Sequence, residues 1–337
     1  MDAAFLDNKL NVSFDYFNKV TSDILAPRSD VPALFGAGFP DYNISKVGNR
    51  GWEATVAYTF KTNEFTHNFS FNIANSSNKL LAFSYGATQQ INNLGEFSLL
   101  REVGGPVTQY YGYKVAGIFQ TEAEVQSSAK PTGLTLGPGD LKYVDQNHDG
   151  VIDQKDMVPL GNPFPKFTFG FTYRVAVKGF DLSIFIQGVG KRTEFIRGED
   201  VEPFHYNYGN TLFENQTDFW TPSNPGAKYP RLAAIGSDSN TNNWRDGSDI
   251  YSLNAAYARL KNVNFGYTFP KKMTRKAGIE KLRISAIGQN LYTLTKLKFI
   301  DPETSEFDGN TGLGAASNSG RAYPLPIFYG MGLDLTF

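Results

Sequence analysis

Apolar and polar residues alternate one for one in eight stretches of this chain. Leu10, Val12, Phe14 and Tyr16 alternate with Asn11, Ser13 and Asp15, and Trp52, Ala54, Val56, Tyr58 and Phe60 with Glu53, Thr55, Ala57 and Thr59. Phe69, Phe71 and Ile73 continue the pattern, as do Phe167, Phe169, Phe171, Tyr173 and Val175, then Phe180, Leu182, Ile184 and Ile186. Val263, Phe265, Tyr267 and Phe269 form another set, and Leu282, Ile284 and Ala286 a weaker one. The chain closes on Tyr329, Met331, Leu333, Leu335 and Phe337, opposite Gly330, Gly332, Asp334 and Thr336. A period of two places alternate side chains on opposite faces of a strand, so about eight strands of roughly ten residues are expected. Chain ends usually fray, and an apolar terminal residue gains nothing in water, so the last strand should be paired.

The connections alternate in length. In order they are long (APRSDVPALFGAGFPDYNISK), short (KTN), very long (about Ser76 to Pro165), short (AVKG), long (about Lys191 to Asn254), medium (PKKMTRKAGIEK) and long (about Lys296 to Tyr323). Outer-membrane barrels place short periplasmic turns at one end and long extracellular loops at the other, with apolar side chains towards lipid. The expected fold is therefore all-β: an antiparallel transmembrane β-barrel segment of about eight strands of a larger barrel. A barrel has no free edge, so its last strand is expected to pair with its first. The polar partners in the alternation, among them Glu53, Arg174, Asp181 and Gln187, then face the lumen. The alternative is a soluble β-sandwich whose strands alternate because one face packs on a second sheet.

Composition narrows the chemistry. Among 337 residues, 32 Lys and Arg balance 33 Asp and Glu, which gives no basic surface for nucleic acid. There is no cysteine, hence no disulfide, thiol nucleophile or cysteine zinc site. The three histidines, His67, His148 and His205, are scattered. The 28 Phe and 18 Tyr favour β structure, and no apolar run approaches the roughly 18 residues of a spanning helix. The opening MDAAFLDNKL has no charged segment leading into an apolar core, so no signal peptide is expected. No phosphate loop, nucleophile elbow or HExxH motif occurs and no carboxylate pair is singled out, so the chain does not read as an enzyme.

One local motif carries candidate chemistry. DQNHDGVIDQKD, residues 145–156, has the spacing of an EF-hand loop: Asp145, Asn147 and Asp149 at positions 1, 3 and 5, Gly150 at the sharp turn, the Val151 carbonyl at 7, Asp153 at 9 and Asp156 at 12. Four carboxylates, an amide and a carbonyl suit a structural Ca2+, with Ile152 pointing inward. Asp in place of Glu at position 12 shortens the final ligand, and the flanks do not read as paired helices. A polar turn held by Asx-type hydrogen bonds is the competing reading. YYGYKVAGIFQ, residues 110–120, reads either as an aromatic ligand platform or as loop packing. TEAEVQSSA reads as a short helix capped by Thr121.

Seven stretches in order, including YARLKNVNFGYTFPK, LRISAIGQNLYTLT, the final GLDLTF and DLKYVDQNHDGVIDQKDMVPLGNPFPKFTFGFTYRVAVKGFDLSIFIQG, resemble the C-terminal part of SusC/RagA-type TonB-dependent transporters of the Bacteroidota outer membrane. The resemblance runs from Phe5 to Phe337. It implies a 22-stranded barrel around an N-terminal plug, importing oligosaccharides, peptides or similar nutrients. It also implies a SusD-like surface lipoprotein over the loops, outer-membrane lipid around the wall, and energy from TonB through an N-terminal region. The segments expected to carry the plug, the TonB contact and the other strands are not in this chain, which therefore reads as the C-terminal part of such a barrel over residues 1–337. The alternative function is a calcium-stabilised surface or secreted β-domain that binds glycans.

Overall fold

The computed structural model describes residues 1–26, 40–83, 88–93, 98–198, 201–204, 212–244, 247–303, 317–318 and 323–337. Nine strands form one antiparallel sheet: β1 (Asp2–Phe5), β2 (Leu10–Ala26), β3 (Tyr42–Thr62), β4 (Phe65–Ala82), β5 (Lys166–Val177), β6 (Phe180–Lys191), β7 (Tyr257–Thr268), β8 (Lys281–Thr295) and β9 (Phe328–Thr336). Each pairs with its neighbours in this series, the terminal β1 and β9 on one side only. The eight alternating stretches fall in β2 to β9, with only Phe269 and Phe337 one residue past the ends of β7 and β9. The short β1, which places Phe5 opposite Leu10, carries too few residues to show a period. β2, β3 and β4 run for 17, 21 and 18 residues. A membrane crossing takes about 9–11 residues of tilted strand, so these three extend beyond the apolar zone.

The register keeps the two faces separate across the whole sheet. Tyr58 lies opposite Leu10 and Phe69, Phe69 opposite Tyr173, Tyr173 opposite Ile184, and Ile184 opposite Val263. Further along, Tyr267 lies opposite Ile284 and Ile284 opposite Leu333. Rings stack across strands on this face, Phe60 on Phe69 at 5.9 Å, Phe69 on Tyr173 at 4.6 Å and Phe180 on Phe265 at 6.0 Å. Cross-strand aromatic pairs of this kind lock the register. Phe14, Phe71, Phe180, Phe265, Ile284 and Leu333 remain exposed on it. So large a contiguous apolar surface marks a face that a membrane, a partner or a ligand covers.

The short connections share one end of the sheet. Lys178 and Gly179 join β5 to β6 with both residues at positive φ (47° and 89°), the twist a two-residue hairpin needs. Residues 269–280 make a helical turn, Lys271–Thr274, closed by Gly278 at φ 72°. The long connections, residues 27–41, 83–165, 192–256 and 296–327, leave from the opposite end. Most of the first lies outside the described residues.

The last strand and the long connections add detail to this picture. The last strand is paired with β8 from Lys281–Thr336 to Gln289–Phe328, as its apolar face required, but on that side only. Among the described residues β9 does not close onto a first strand: β1 is four residues long and sits at the short-turn end, so it offers no full-length partner. The long connections, in turn, are folded. They carry a four-stranded sheet (Gln89–Asn93, Ser98–Glu102, Gln109–Tyr113 and Met157–Gly161), a pairing of Val115–Ile118 with Leu141–Tyr143, and a core of Leu99, Tyr110, Phe195, Ile196, Tyr251 and Leu297.

Candidate functional site

The face opposite the aromatic band carries the polar partners of the alternation. Glu53 lies opposite Asp15 and Ala74, Arg174 opposite Asn68 and Ser183, Asp181 opposite Ala176 and Gly266, and Gln187 opposite Gly170. All four expected lumen residues therefore share one face. Asp181 is not free there: Arg283 of β8 donates to both its carboxylate oxygens, at 3.0 and 2.6 Å. The same guanidinium reaches Asn264 at 2.9 Å and Asp334 of β9 at 3.2 Å.

At the long-loop end of this face, a bulge between Leu260 and Asn262 resets the alternation, and Arg259 lies opposite both Gln187 and Thr293. Arg259 is buried, donates to Thr293 Oγ1 at 2.8 Å and Glu303 at 2.8 Å, and pairs with Asp301. Lys261 adds a second bond to Glu303 at 2.9 Å. Burial pushes the Asp301 carboxyl up, but hydrogen bonds from Arg259 and from the backbone N–H groups of Glu303 and Leu325 outweigh it and hold the group below the usual carboxylate range. Two cations and two carboxylates thus pin the start of the last long connection to the wall.

A second polar cluster joins two long connections. Asp140 is fully buried and accepts from Arg231 Nε at 2.8 Å and Nη2 at 3.0 Å, Ser239 Oγ at 2.9 Å, Asn243 Nδ2 at 3.0 Å and Gly137 N at 2.9 Å. This pairing raises Arg231 above the ordinary guanidinium value. Alongside, Asn243 Oδ1 accepts from Leu141 N at 2.8 Å and Tyr143 OH donates to the Asn242 carbonyl at 2.6 Å. A buried carboxylate with five donors is a fastener, four of them from residues 91 to 103 positions along the chain and the fifth from nearby Gly137.

The EF-hand-like loop sits between Leu141–Tyr143 and Met157–Gly161, two strands rather than two helices. Asp145 accepts from His148 N at 2.7 Å and Gly150 N at 2.9 Å, and Gly150 takes the turn at φ 83°. Asn147 Oδ1 accepts from Asp149 N at 3.1 Å, and Asp149 Oδ1 from Val151 N at 3.0 Å. Asp153 caps a single 3-10 turn, while Asp156, fully buried, accepts from Gln146 N and Asp153 N, each at 2.8 Å. Ile152 is buried as expected. Hydrogen bonds from Asn147, then from Val151 N, with Lys155 nearby, hold Asp149 below the usual range. Among the described residues no three acidic or histidine side chains gather closely enough to hold a metal ion; the Asx-type bonds hold the loop.

The tyrosine-rich stretch resolves towards packing. Tyr110 and Tyr113 are buried, Tyr110 stacking on Phe195 at 5.1 Å and Tyr113 against Tyr143 at 5.7 Å. Thr121 caps the helix Glu122–Ser127 by accepting from Glu124 N at 3.2 Å, as the sequence predicts. His205 lies outside the described residues. Sequence reasoning missed Asp140, Arg231, Arg259 and Arg283, because each finds its partner only through strand register or loop packing.

No family model matches the chain. Over 352 residues it is 30% identical to TonB-dependent receptor P3 of Formosa agariphila, covering 100% of the chain and 33% of that protein. It is 25% identical to TonB-dependent receptor SusC of Bacteroides thetaiotaomicron, covering 100% of the chain and 31% of SusC. The chain resembles SusC/RagA-type TonB-dependent receptors over its whole length. In fold it superposes on the RagAB peptide transporter with a TM-score of 0.72 at 18% identity, covering 100% of the chain and 34% of that neighbour. The chain thus spans about a third of the length of the SusC-type relatives it matches.

Proposed function

We propose that this chain supplies barrel wall and extracellular loops to a TonB-dependent importer of nutrients across the bacterial outer membrane. The observation that carries the reading is the register: nine strands keep one aromatic face and one ion-paired polar face, with all long connections at one end. Lipid covers the first face and water fills the lumen behind the second. A SusD-like lipoprotein caps the folded loops, and TonB acts through a region outside this chain. The cargo is a small oligosaccharide, peptide or similar nutrient. Gating belongs to a plug carried elsewhere.

Calcium is a second element of the proposal. Asp145, Asn147, Asp149, the Val151 carbonyl, Asp153 and Asp156 are hard oxygen donors of the kind Ca2+ prefers, and the loop already turns at Gly150. The ion would stiffen the loop and take no part in transport chemistry.

Blotting membrane and soluble fractions of source cells with an antibody against β8 and β9 tests the assignment. A membrane band far above the chain's own 37.4 kDa supports it. A membrane band at the chain's own mass removes TonB-driven import, and a soluble signal overturns the barrel.

A further inference from the structure

Along β2, β3 and β4 the outward-facing rows change character towards the long connections. Rows Leu10–Tyr58–Phe69, Val12–Val56–Phe71 and Phe14–Ala54–Ile73 are apolar, and Tyr16–Trp52–Asn75 is an aromatic edge. The next two rows are Asn18–Arg50–Ser77 and Val20–Gly48–Lys79. Strands rise about 3.3 Å per residue, so Phe60 to Arg50 covers roughly 33 Å of strand. Tilted by about 35–45°, that is close to the roughly 25 Å height of a barrel's apolar band. Arg50 therefore stands at the outer boundary of the band, with Trp52 and Tyr16 beneath it where interfacial aromatics belong.

A cavity of about 430 Å³ opens at this boundary, lined by Tyr16, Asn18, Arg50, Lys79 and Leu81. The turn Gly104–Pro106 walls one side, held to β4 by Gly104 N donating to the Leu80 carbonyl at 2.8 Å and Leu80 N to the Gly105 carbonyl at 2.9 Å. Arg50 and Lys79 are exposed, and among the described residues neither has an ion-pair partner. Some cations of the sheet and its turns are matched, Arg259 with Asp301, Lys261 with Glu303, Arg283 with Asp181 and Lys178 with Glu64; what sets Arg50 and Lys79 apart is that both line one groove at the apolar boundary. A planar guanidinium suits bidentate phosphate recognition, Lys79 adds a point charge, and Asn18 and Ser77 offer neutral donors.

We propose that this groove seats the phosphate-bearing headgroup of an anionic lipid of the outer leaflet, its acyl chains lying along the aromatic band below. The inference rests on the membrane reading of the wall. Its position on the outward face, at the apolar boundary and not on top of the loops, favours a lipid over a protein partner.

Native mass spectrometry of the full chain, exchanged from micelles containing phosphatidylglycerol or phosphatidylcholine, reads the retained lipid directly. The wild type should hold phosphatidylglycerol selectively. A basic residue near an anionic surface contributes about fivefold in affinity, so R50Q and K79Q should each weaken retention about fivefold and the double variant about 30-fold. K276Q, on the short connection after β7, should change nothing. Equal retention by the double variant and the wild type overturns the site. Displacement by an equal concentration of inorganic phosphate would overturn the lipid assignment, leaving an anion site. If the chain stays dispersed without detergent and retains neither lipid, the membrane reading itself fails. Retention of both lipids alike would refute only the groove.

Discussion

Arg283 on β8 grips both carboxylate oxygens of Asp181 on β6, two strands away, by lying across Gly266 on β7. A Cβ built on Gly266 would collide with the guanidinium nitrogens of Arg283. The glycine is therefore the passage through which β6, β8 and, by way of Asp334, β9 are tied on the lumen face. Gly266→Val should displace Arg283 and lower stability by about 1–3 kcal/mol, the usual range for inserted bulk. Thermal unfolding in detergent should show the loss, and Gly266→Ala should show a smaller one.

The face assignment predicts opposite outcomes for adjacent positions. Phe169→Arg or Leu182→Arg puts a charge against lipid, at about 2–4 kcal/mol near mid-membrane. Ser183→Arg, one residue along β6, points to water and should be tolerated. The amount of heat-modifiable protein in the outer-membrane fraction separates them. Equal levels of Leu182→Arg and Ser183→Arg would refute the assignment.

Asp140 should matter to the loops and not to the wall. Asp140→Asn leaves Arg231 without its counter-charge and weakens a buried network. Hydrogen bonds to charged groups contribute about 1.5–3 kcal/mol, so local opening should become easier by that order. Hydrogen exchange at residues 141–143 and 239–243 should accelerate while β5 and β6 stay protected.

Acid should release the last long connection from Arg259. Asp301 has a folded value below its unfolded one, so its contribution is present above the unfolded carboxylate pKa, about 3.9. It is lost as pH falls through the lowered folded value. Limited proteolysis after β8 should therefore rise only below about pH 4, and Arg259→Leu should produce the same cleavage at neutral pH.

Calcium binding is expected to be weak, with Kd of roughly 10⁻⁴–10⁻³ M as in extracellular modules. Asp145→Ala should abolish it in calorimetry. Lys155, 3.8 Å from Asp149 and 3.9 Å from Asp153, competes as a cation, so Lys155→Ala should tighten it several-fold. Absence of any calcium heat in both the wild type and Lys155→Ala would leave the Asx-bonded turn as the whole account.

The strands were legible because their period survives in one dimension: Phe167 to Val175 and Phe180 to Ile186 state their own faces. Loop length then placed the ends. What stayed hidden depends on which strand meets which residue. Nothing in the sequence couples Arg283 to Asp181 until register brings Gly266 between them. Arg259 was hidden by a bulge, which breaks the very alternation used to read faces. Tyr110 offered two readings because a ring suits a core and a platform equally, and only burial against Phe195 separates them.

The core above the wall draws Leu99 and Tyr110 from one connection, Phe195 and Tyr251 from the next, and Leu297 from the last. The head formed by the long connections is thus woven, each thread crossing the others and Asp140 knotting two of them. Grafting one such loop alone onto a related wall would strip the others of their packing. Altered surfaces in proteins built this way should arise by exchange of the whole head, or by changes at its outermost residues that leave the weave intact.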